Sequence, residues 1–218
     1  TAIVQHAPPG GGRPEVHNFK LSTAADPVPT AALVAIEIGT GRIVQSDFNA
    51  LQLMSPLMCS AAWFSRDGDS VFYLASDRFR HRARLMQLDL VSGQERVVFE
   101  ESAAAGYIET HPLMFHAPNV RVLERSGEVI WYSDRDGWGH LYLVGLEDGQ
   151  TRRQITSGDW MVRDIVHFDE VTRTLTFTAS GRDRSVDANR RQLCEVSIDG
   201  GEVRVLATCD GDVAVAPS

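Results

Sequence analysis

Residues 85–93, which read Leu-Met-Gln-Leu-Asp-Leu-Val-Ser-Gly, carry the pattern that decides the fold of this chain. A leucine opens the pattern, aliphatic residues follow at its fourth and sixth positions, and a glycine closes it at the ninth. Aliphatic residues that alternate in this way line one face of a β-strand. The closing Ser-Gly supplies the positive φ angles that a tight hairpin turn requires. The stretch therefore predicts a strand that runs into a hairpin.

The same pattern occurs four times, and its copies start 52, 56 and 52 residues apart, at residues 33–41, 85–93, 141–149 and 193–201. A second short strand-like run follows each copy, and another pair of such runs precedes it, as at residues 61–74. Four strands per repeat of about 50 residues are typical of a β-propeller blade. A β-sandwich, the alternative, gives no reason for one nine-residue pattern to recur in step.

The repeat therefore predicts an all-β chain that forms a fragment of about four four-stranded antiparallel blades, or about half of an eight-bladed propeller. We place the blades at about residues 14–50, 58–100, 111–156 and 160–207, and we interpret residues 208–218 as the start of a further blade. The two end blades of an incomplete ring lack neighbours for their apolar faces. We therefore expect self-association or a homodimer.

Composition narrows the class of protein. The 218 residues include 21 Lys and Arg against 29 Asp and Glu, which gives a net charge of −8, and 43% are hydrophobic. These values are typical of a globular domain, and an acidic chain of this kind argues against nucleic acid as a partner. The longest apolar run, residues 31–36, is far too short to cross a membrane. No targeting signal is visible, so cytoplasm and periplasm both remain open as locations.

Several motifs, taken in order and with their spacing, carry a family resemblance. Residues 133–142, Ser-Asp-Arg-Asp-Gly-Trp-Gly-His-Leu-Tyr, resemble the S-E-R-D-G-W-x-H-L-Y segment of bacterial dipeptidyl peptidase IV propellers. Residues 155–162 resemble the L-T-x-G-x-W-x-V segment that follows in that family, and residues 177–181 resemble F-T-A-x-x. The resemblance is strong over residues 133–181 and loose before residue 61.

This resemblance implies the dipeptidyl peptidase IV branch of the prolyl oligopeptidase serine peptidases. In that family an eight-bladed propeller caps an α/β-hydrolase domain that carries the Ser, Asp and His machinery. A glutamate pair in the propeller binds the free amino terminus of the peptide, and dipeptides are released after proline or alanine. We expect no cofactor.

The chain lacks the catalytic parts that the resemblance implies for the whole enzyme. It contains no G-x-S-x-G nucleophile elbow, and the family's glutamate pair lies before the region with which this sequence begins. We therefore expect a non-catalytic propeller portion that gates and positions peptide substrates for a hydrolase domain absent from this chain. A free-standing propeller that binds a protein or a peptide is the alternative. A G-x-S-x-G in the reading frame beyond Ser218 would favour the first interpretation, and a stop codon the second.

Residues 103–112 join two predicted blades, and the matching stretch of the family lies near the mouth of the substrate chamber. Tyr107, Glu109 and His111 are therefore the candidate substrate-facing residues. An ordinary connection between blades is the alternative for this segment.

Other polar and aromatic residues receive structural interpretations. We interpret Glu100 and Glu101 as a solvated strand end rather than an amine site. Residues 134–140 predict a capped β-turn rather than a cation site, because Asp-x-Asp-Gly here lacks the later ligands of a calcium loop. We expect Trp138 and Trp160 to pack between neighbouring blades.

Overall fold

The computed structural model describes residues 2–6, 8–19, 32–49, 61–77, 79–103, 106–110, 117–208 and 213. The chain divides into two compact units, Thr1–Thr30 and Ala31–Ser218. In the first unit, strands β1 (Ala2–His6) and β2 (Glu15–Phe19) form an antiparallel hairpin. The predicted further blade at residues 208–218 lies outside the described residues, apart from residues 208 and 213.

The second unit is a succession of antiparallel sheets in which each strand pairs with the next strand along the chain. The first is a two-stranded sheet of β3 (Ala32–Ile36) and β4 (Ile43–Asn49). Three four-stranded sheets follow: β5 (Ala62–Phe64), β6 (Ser70–Ser76), β7 (Arg82–Asp89) and β8 (Glu95–Ser102); β9 (Arg121–Leu123), β10 (Glu128–Ser133), β11 (His140–Gly145) and β12 (Thr151–Gln154); β13 (Met161–Asp169), β14 (Thr174–Ser180), β15 (Arg191–Ser197) and β16 (Arg204–Ala207).

The nine-residue repeat forms the third strand of each four-stranded sheet together with the hairpin that follows it. In β7 the side chains of Leu85 and Leu88 are both fully buried, but they lie three residues apart and belong to different clusters on the two faces of the sheet. The closing glycines take the positive φ angles that the hairpin needs, for example +75° at Gly93 and +62° at Gly149. The limits of individual blades remain predictions, and residues 20–31 of the first one lie outside the described residues.

Successive sheets of the second unit pack face to face. In β6, Phe72 and Leu74 belong to the buried cluster shared with β9–β12, whereas Tyr73 and Ala75 belong to the cluster shared with β3 and β4. A third cluster joins β9–β12 to β13–β16 and includes Phe177, with no exposed surface. Side chains alternate between the two faces of a strand, so β6, β7, β10 and β11 each contribute to two of these clusters, whereas β14 and β15 contribute to one.

The described part of the chain contains strands and turns but no helix, which agrees with the predicted all-β class. Accordingly, none of the described residues forms a helix long and apolar enough to span a membrane. Among the described residues, Cys194 is a free cysteine that is fully buried between sheets, and burial raises the pKa of its thiol.

Candidate functional site

An open cleft of about 520 Å³ lies beside the chain that leaves β8, and its volume is that of a small-molecule or short-peptide site. The turn between β10 and β11 supplies the opposite wall of the cleft. The lining residues are Glu101, Ser102, Ala103, Gly106, Tyr107, Ile108, Asp134 and Arg135. Residues 104, 105 and 111–116 lie outside the described part of the chain.

The turn that forms one wall has a local cause in the sequence Asp134-Arg135-Asp136-Gly137. Gly137 takes a φ of +96°, and its N–H donates to the carbonyl of Asp134 at 2.9 Å. The backbone N–H of Trp138 donates to Asp136 at 3.2 Å. These contacts are those of a capped β-turn, which directs the Asp134 and Arg135 side chains to the cleft.

Glu101 is the most constrained acidic side chain of the cleft, with only 10% of its surface exposed. It accepts hydrogen bonds from Trp131 Nε1 at 2.6 Å, Ser133 Oγ at 2.5 Å and Arg135 Nη2 at 3.0 Å. The interpretation of Glu101 as a solvated strand end is therefore wrong. At the end of β8 its side chain faces the next sheet, where the buried Trp131 indole needs an acceptor.

Its neighbour Glu100 points the other way and matches the sequence-based interpretation. It is exposed and forms ion pairs with Arg84 at 2.6 Å and Arg82 at 3.4 Å. Burial tends to raise the pKa of Glu100, but the hydrogen bond and charge of Arg84, together with the charge of Arg82, outweigh it and lower the pKa. Adjacent residues of one strand thus have opposite surroundings.

Arg135 is held in place on three sides. Its guanidinium lies 4.3 Å from the centre of the Tyr142 ring, and its Nε donates to Ser133 Oγ at 2.9 Å. The same guanidinium pairs with Glu101 at 3.0 Å. Desolvation, followed by the charge of Asp136, raises the pKa of Tyr142 to about 12. Arg135 therefore forms a rigid part of the cleft wall.

Asp134 stands at the exposed rim of this wall, and its pKa is raised. The first cause is desolvation, and the nearby carboxylates of Glu101, Glu109 and Asp136 add to it. A cation placed in the cleft would relieve this repulsion. The geometry therefore suits a ligand that carries a positive charge next to an apolar group.

Of the predicted substrate-facing residues, Tyr107 lines the cleft with 61% of its surface exposed. Glu109 pairs with Arg80 at 2.9 Å, with 28% of its side chain exposed. His111 lies outside the described residues. The segment is anchored by the buried Ile108, whose N–H donates to the carbonyl of Arg80 at 2.7 Å.

His140 is fully buried rather than available to a cation. Its Nε2 lies 2.9 Å from the carbonyl of Gly158 and its Nδ1 lies 3.0 Å from Thr156 Oγ1. A carbonyl can only accept, so Nε2 carries a proton and donates it to Gly158. Across the described ranges, no three His, Cys, Asp or Glu side chains converge as they would to hold a metal ion.

The two tryptophans that were expected to pack between blades differ. Trp160 is buried between two sheets, with its ring centre 4.9 Å from that of His140 and stacked on Phe177 at 6.2 Å. Trp138 is 43% exposed, so the prediction for it is wrong. It follows Gly137 in the turn between β10 and β11.

The stacked four-stranded antiparallel sheets place the chain among β-propeller proteins, and comparison with solved structures supports that class. A putative dipeptidyl aminopeptidase IV from Bacteroides ovatus superposes with a TM-score of 0.65 at 19% identity, covering 93% of this chain and 29% of that one. Porphyromonas gingivalis dipeptidyl peptidase 4 superposes with a TM-score of 0.67 at 15% identity, covering 94% and 27%.

The sequence profile described as "Dipeptidyl peptidase IV (DPP IV) N-terminal region" matches residues 1–216, and the chain belongs to this family. Among curated relatives, a probable dipeptidyl peptidase 4 of Aspergillus flavus is 24% identical over 169 residues, and dipeptidyl peptidase 4 of Trichophyton rubrum is 26% identical over 171. Each alignment covers 78% of this chain and 21% of the relative. The chain thus spans about a fifth of the length of these relatives.

Proposed function

We propose that this chain is the non-catalytic propeller portion of a dipeptidyl peptidase IV-like serine exopeptidase. In this role it gates and positions peptide substrates for an α/β-hydrolase domain that this sequence does not contain. Support comes from the family match over residues 1–216 and from the absence of any G-x-S-x-G in the sequence. A bacterial source belongs to the same proposal and rests on the motif at residues 133–142, since the curated relatives named above are fungal.

The single observation that carries the positioning role is the cleft with Tyr107 on one wall and Asp134 on the other. An exposed aromatic ring offers apolar surface to a peptide side chain. A carboxylate with a raised pKa gains most from a nearby cation, and a peptide amino terminus is such a cation. The ion pair of Glu109 with Arg80 anchors the segment that carries Tyr107.

The positioning role is tested by steady-state kinetics in the full-length protein with an Ala-Pro reporter peptide. Tyr107→Ala removes one exposed aromatic contact worth about 1.4 kcal/mol, so KM should rise about tenfold while kcat changes little. Val171→Ala, at a residue that is 90% exposed in the β13–β14 turn, is the matched control and should behave as wild type. Unchanged KM in the Tyr107 variant would exclude a contact between this ring and the substrate.

The non-catalytic role is tested on the 218-residue chain alone. It should show no hydrolysis of Gly-Pro or Ala-Pro reporters, and serine-peptidase turnover by this chain would contradict the proposal. The reading frame beyond Ser218 provides a second test. A G-x-S-x-G there supports the peptidase role, whereas a stop codon supports a free-standing propeller that binds proteins or peptides as a scaffold.

A further inference from the structure

An arginine links each sheet of the second unit to the next sheet in the same way. Arg42 Nη2 donates to the carbonyl of Val91 at 2.5 Å, and Arg96 Nη1 donates to the carbonyl of Leu146 at 3.2 Å. Arg153 Nη1 donates to a carbonyl of the third and last such hairpin, at Asp199. In all three cases the donor lies in or directly before the last strand of one sheet. The acceptor lies where the third strand of the next sheet enters its hairpin.

Three arginines occupy the same position in the register of their sheets. Arg96 lies opposite Gln87, Arg153 opposite Leu143, and Arg204 opposite Glu195. Those three partners are each the third residue of the nine-residue repeat. The repeat therefore places an arginine at an equivalent site on the last strand of every four-stranded sheet.

The strand partner also orients the arginine. Arg96 Nε donates to Gln87 Oε1 at 2.8 Å, which leaves its two terminal nitrogens directed at the next sheet. Arg204 uses a terminal nitrogen for its strand partner instead: its Nη2 donates to Glu195 Oε1 at 2.5 Å, and its other terminal nitrogen can still reach a second acceptor. A planar guanidinium can hold a strand partner and a second acceptor at once, which a lysine ammonium does less well.

The hairpins that receive these arginines approach the preceding sheet closely. A Cβ added to Gly149 would lie 2.7 Å from the carbonyl oxygen of Val98 in β8, and one added to Gly200 would lie 2.8 Å from Arg153 Nη1. In the β11–β12 hairpin the glycine that closes the repeat, Gly149, is therefore required for contact between sheets as well as for its φ angle. Gly93 and Gly201, which close the repeats of the other two four-stranded sheets, have room for a Cβ.

We propose that Arg204 is the docking residue for a further sheet of the same repeat. Its guanidinium donates to the backbone carbonyl at the end of that sheet's third strand, as Arg42, Arg96 and Arg153 do within this chain. The partner is a four-stranded antiparallel sheet whose third strand closes in a glycine hairpin. The proposal rests on the proposed function, in which this chain is a portion of a longer propeller. Arg204 is suited to the role because 69% of its side chain is exposed.

The test compares arginine variants in the 218-residue chain and in the full-length protein by hydrogen exchange. Arg204→Ala should accelerate amide exchange in residues 191–207 about fivefold more in the full-length protein, the effect of one further lost hydrogen bond, than in the 218-residue chain, where only the exposed pair with Glu195 is lost. Arg96→Ala, which breaks an internal link, should accelerate exchange in residues 141–149 in both. Arg152→Ala is the matched control, because Arg152 pairs with Asp148 of its own sheet and should have no effect on residues 191–207.

Glu195→Ala removes the pair with Arg204 but keeps the arginine that makes the docking contact. In the full-length protein it should therefore accelerate amide exchange in residues 191–207 less than Arg204→Ala does. Equal exchange in wild type and the Arg204 variant at full length, including a full-length protein with no further sheet, would overturn the proposal. Equal acceleration in both chain lengths would overturn it too. Reporter hydrolysis by the full-length protein is measured in parallel. Its absence would overturn the proposed peptidase role and leave the exchange result to be judged separately.

Discussion

Neighbouring residues of one strand can have opposite roles in this protein, and Glu100 and Glu101 are an example. Glu100 is exposed and paired with Arg82 and Arg84, whereas Glu101 is nearly buried and accepts three hydrogen bonds. Side chains alternate across a strand, so Glu101 points toward β9–β12, whereas Glu100 points to the opposite face of its own sheet. Substitutions at the two positions should therefore have different consequences.

Glu101→Ala should destabilise the 218-residue chain by about 3 kcal/mol, because the indole of Trp131 and the guanidinium of Arg135 lose their shared acceptor. Glu100→Ala, the matched control, should cost less than about 1 kcal/mol because its ion pairs are solvent-exposed. Urea unfolding followed by tryptophan fluorescence measures both. Similar losses for the two variants would contradict the asymmetry.

Asp134→Asn should stabilise the chain at neutral pH. The folded-state pKa of Asp134 lies above its ordinary value of 3.8, so the ionised carboxylate opposes folding once the pH exceeds that value. The advantage of the Asn variant should be full above the folded-state pKa and should vanish below about pH 3.8, where the carboxyl is protonated in both states. Thermal unfolding from pH 3 to pH 8 measures the difference.

Asp183→Asn is the control with the opposite sign. The hydroxyl of Ser185, and then its backbone N–H, lower the pKa of Asp183, so its ionised form favours the folded state. That variant should lose stability above pH 3.8, and the loss should disappear as the pH falls through the lowered folded-state pKa. If Asp134→Asn were instead less stable than wild type at pH 7, the repulsion assigned to Asp134 would be wrong.

The hairpin after each third strand is the element on which sheet-to-sheet contact depends. Gly149 and Gly127 have nearly equal φ angles, +62° and +66°, but different surroundings. A Cβ at Gly149 meets the backbone of β8, whereas one at Gly127 meets nothing within 4 Å. The pair therefore separates backbone strain from contact between sheets.

Gly127→Ala should lower the free energy of unfolding by about 1 kcal/mol, because a left-handed backbone conformation is unfavourable for a residue with a Cβ. Gly149→Ala should cost at least about 1 kcal/mol more, because the carbonyl of Val98 is fixed by its own strand and must shift. Chemical unfolding of the two variants measures the difference. Equal losses would mean that the hairpin does not need its close approach to β8.

At the scale of the whole second unit, the two end faces differ in polarity. On β3 and β4, Val34, Ile36 and Ile43 are 47%, 62% and 62% exposed. On β14, Leu175, Phe177 and Ala179 face the preceding sheet, so the alternating residues Thr174, Thr176 and Thr178 face the other way. The expectation that both end faces are apolar therefore holds for β3–β4 and not for β14.

We expect the isolated chain to self-associate through the β3–β4 face at micromolar concentration, because several large aliphatic residues are exposed together there. Ile36→Ser combined with Ile43→Ser should shift sedimentation toward the monomer. Val171→Ser, at a residue that is 90% exposed in another sheet, is the control and should leave association unchanged. A wild-type chain that sediments as a monomer would contradict this prediction.

Much of the fold could be predicted from local patterns, and less of the candidate site. The repeat correctly indicated antiparallel strands joined by glycine hairpins, and segment 103–112 led to Tyr107, which lines the cleft. The roles of Glu101 and Trp138 were missed. The local sequence does not determine whether these two side chains are exposed or buried, since a Glu at a strand end and a Trp after a turn glycine are each compatible with both.

The sequence by itself determined the strands, the hairpins and the family, because strand alternation and the φ angle of a turn glycine are properties of residues close together in the chain. Only the tertiary structure decided which side chains meet. Glu101 reaches Trp131 across 30 residues, Arg80 reaches Glu109 across 29, and Arg96 reaches Leu146 across 50. Such contacts depend on which sheets face each other and on the register between them. The packing of whole sheets determines both, and the sequence of a single segment does not.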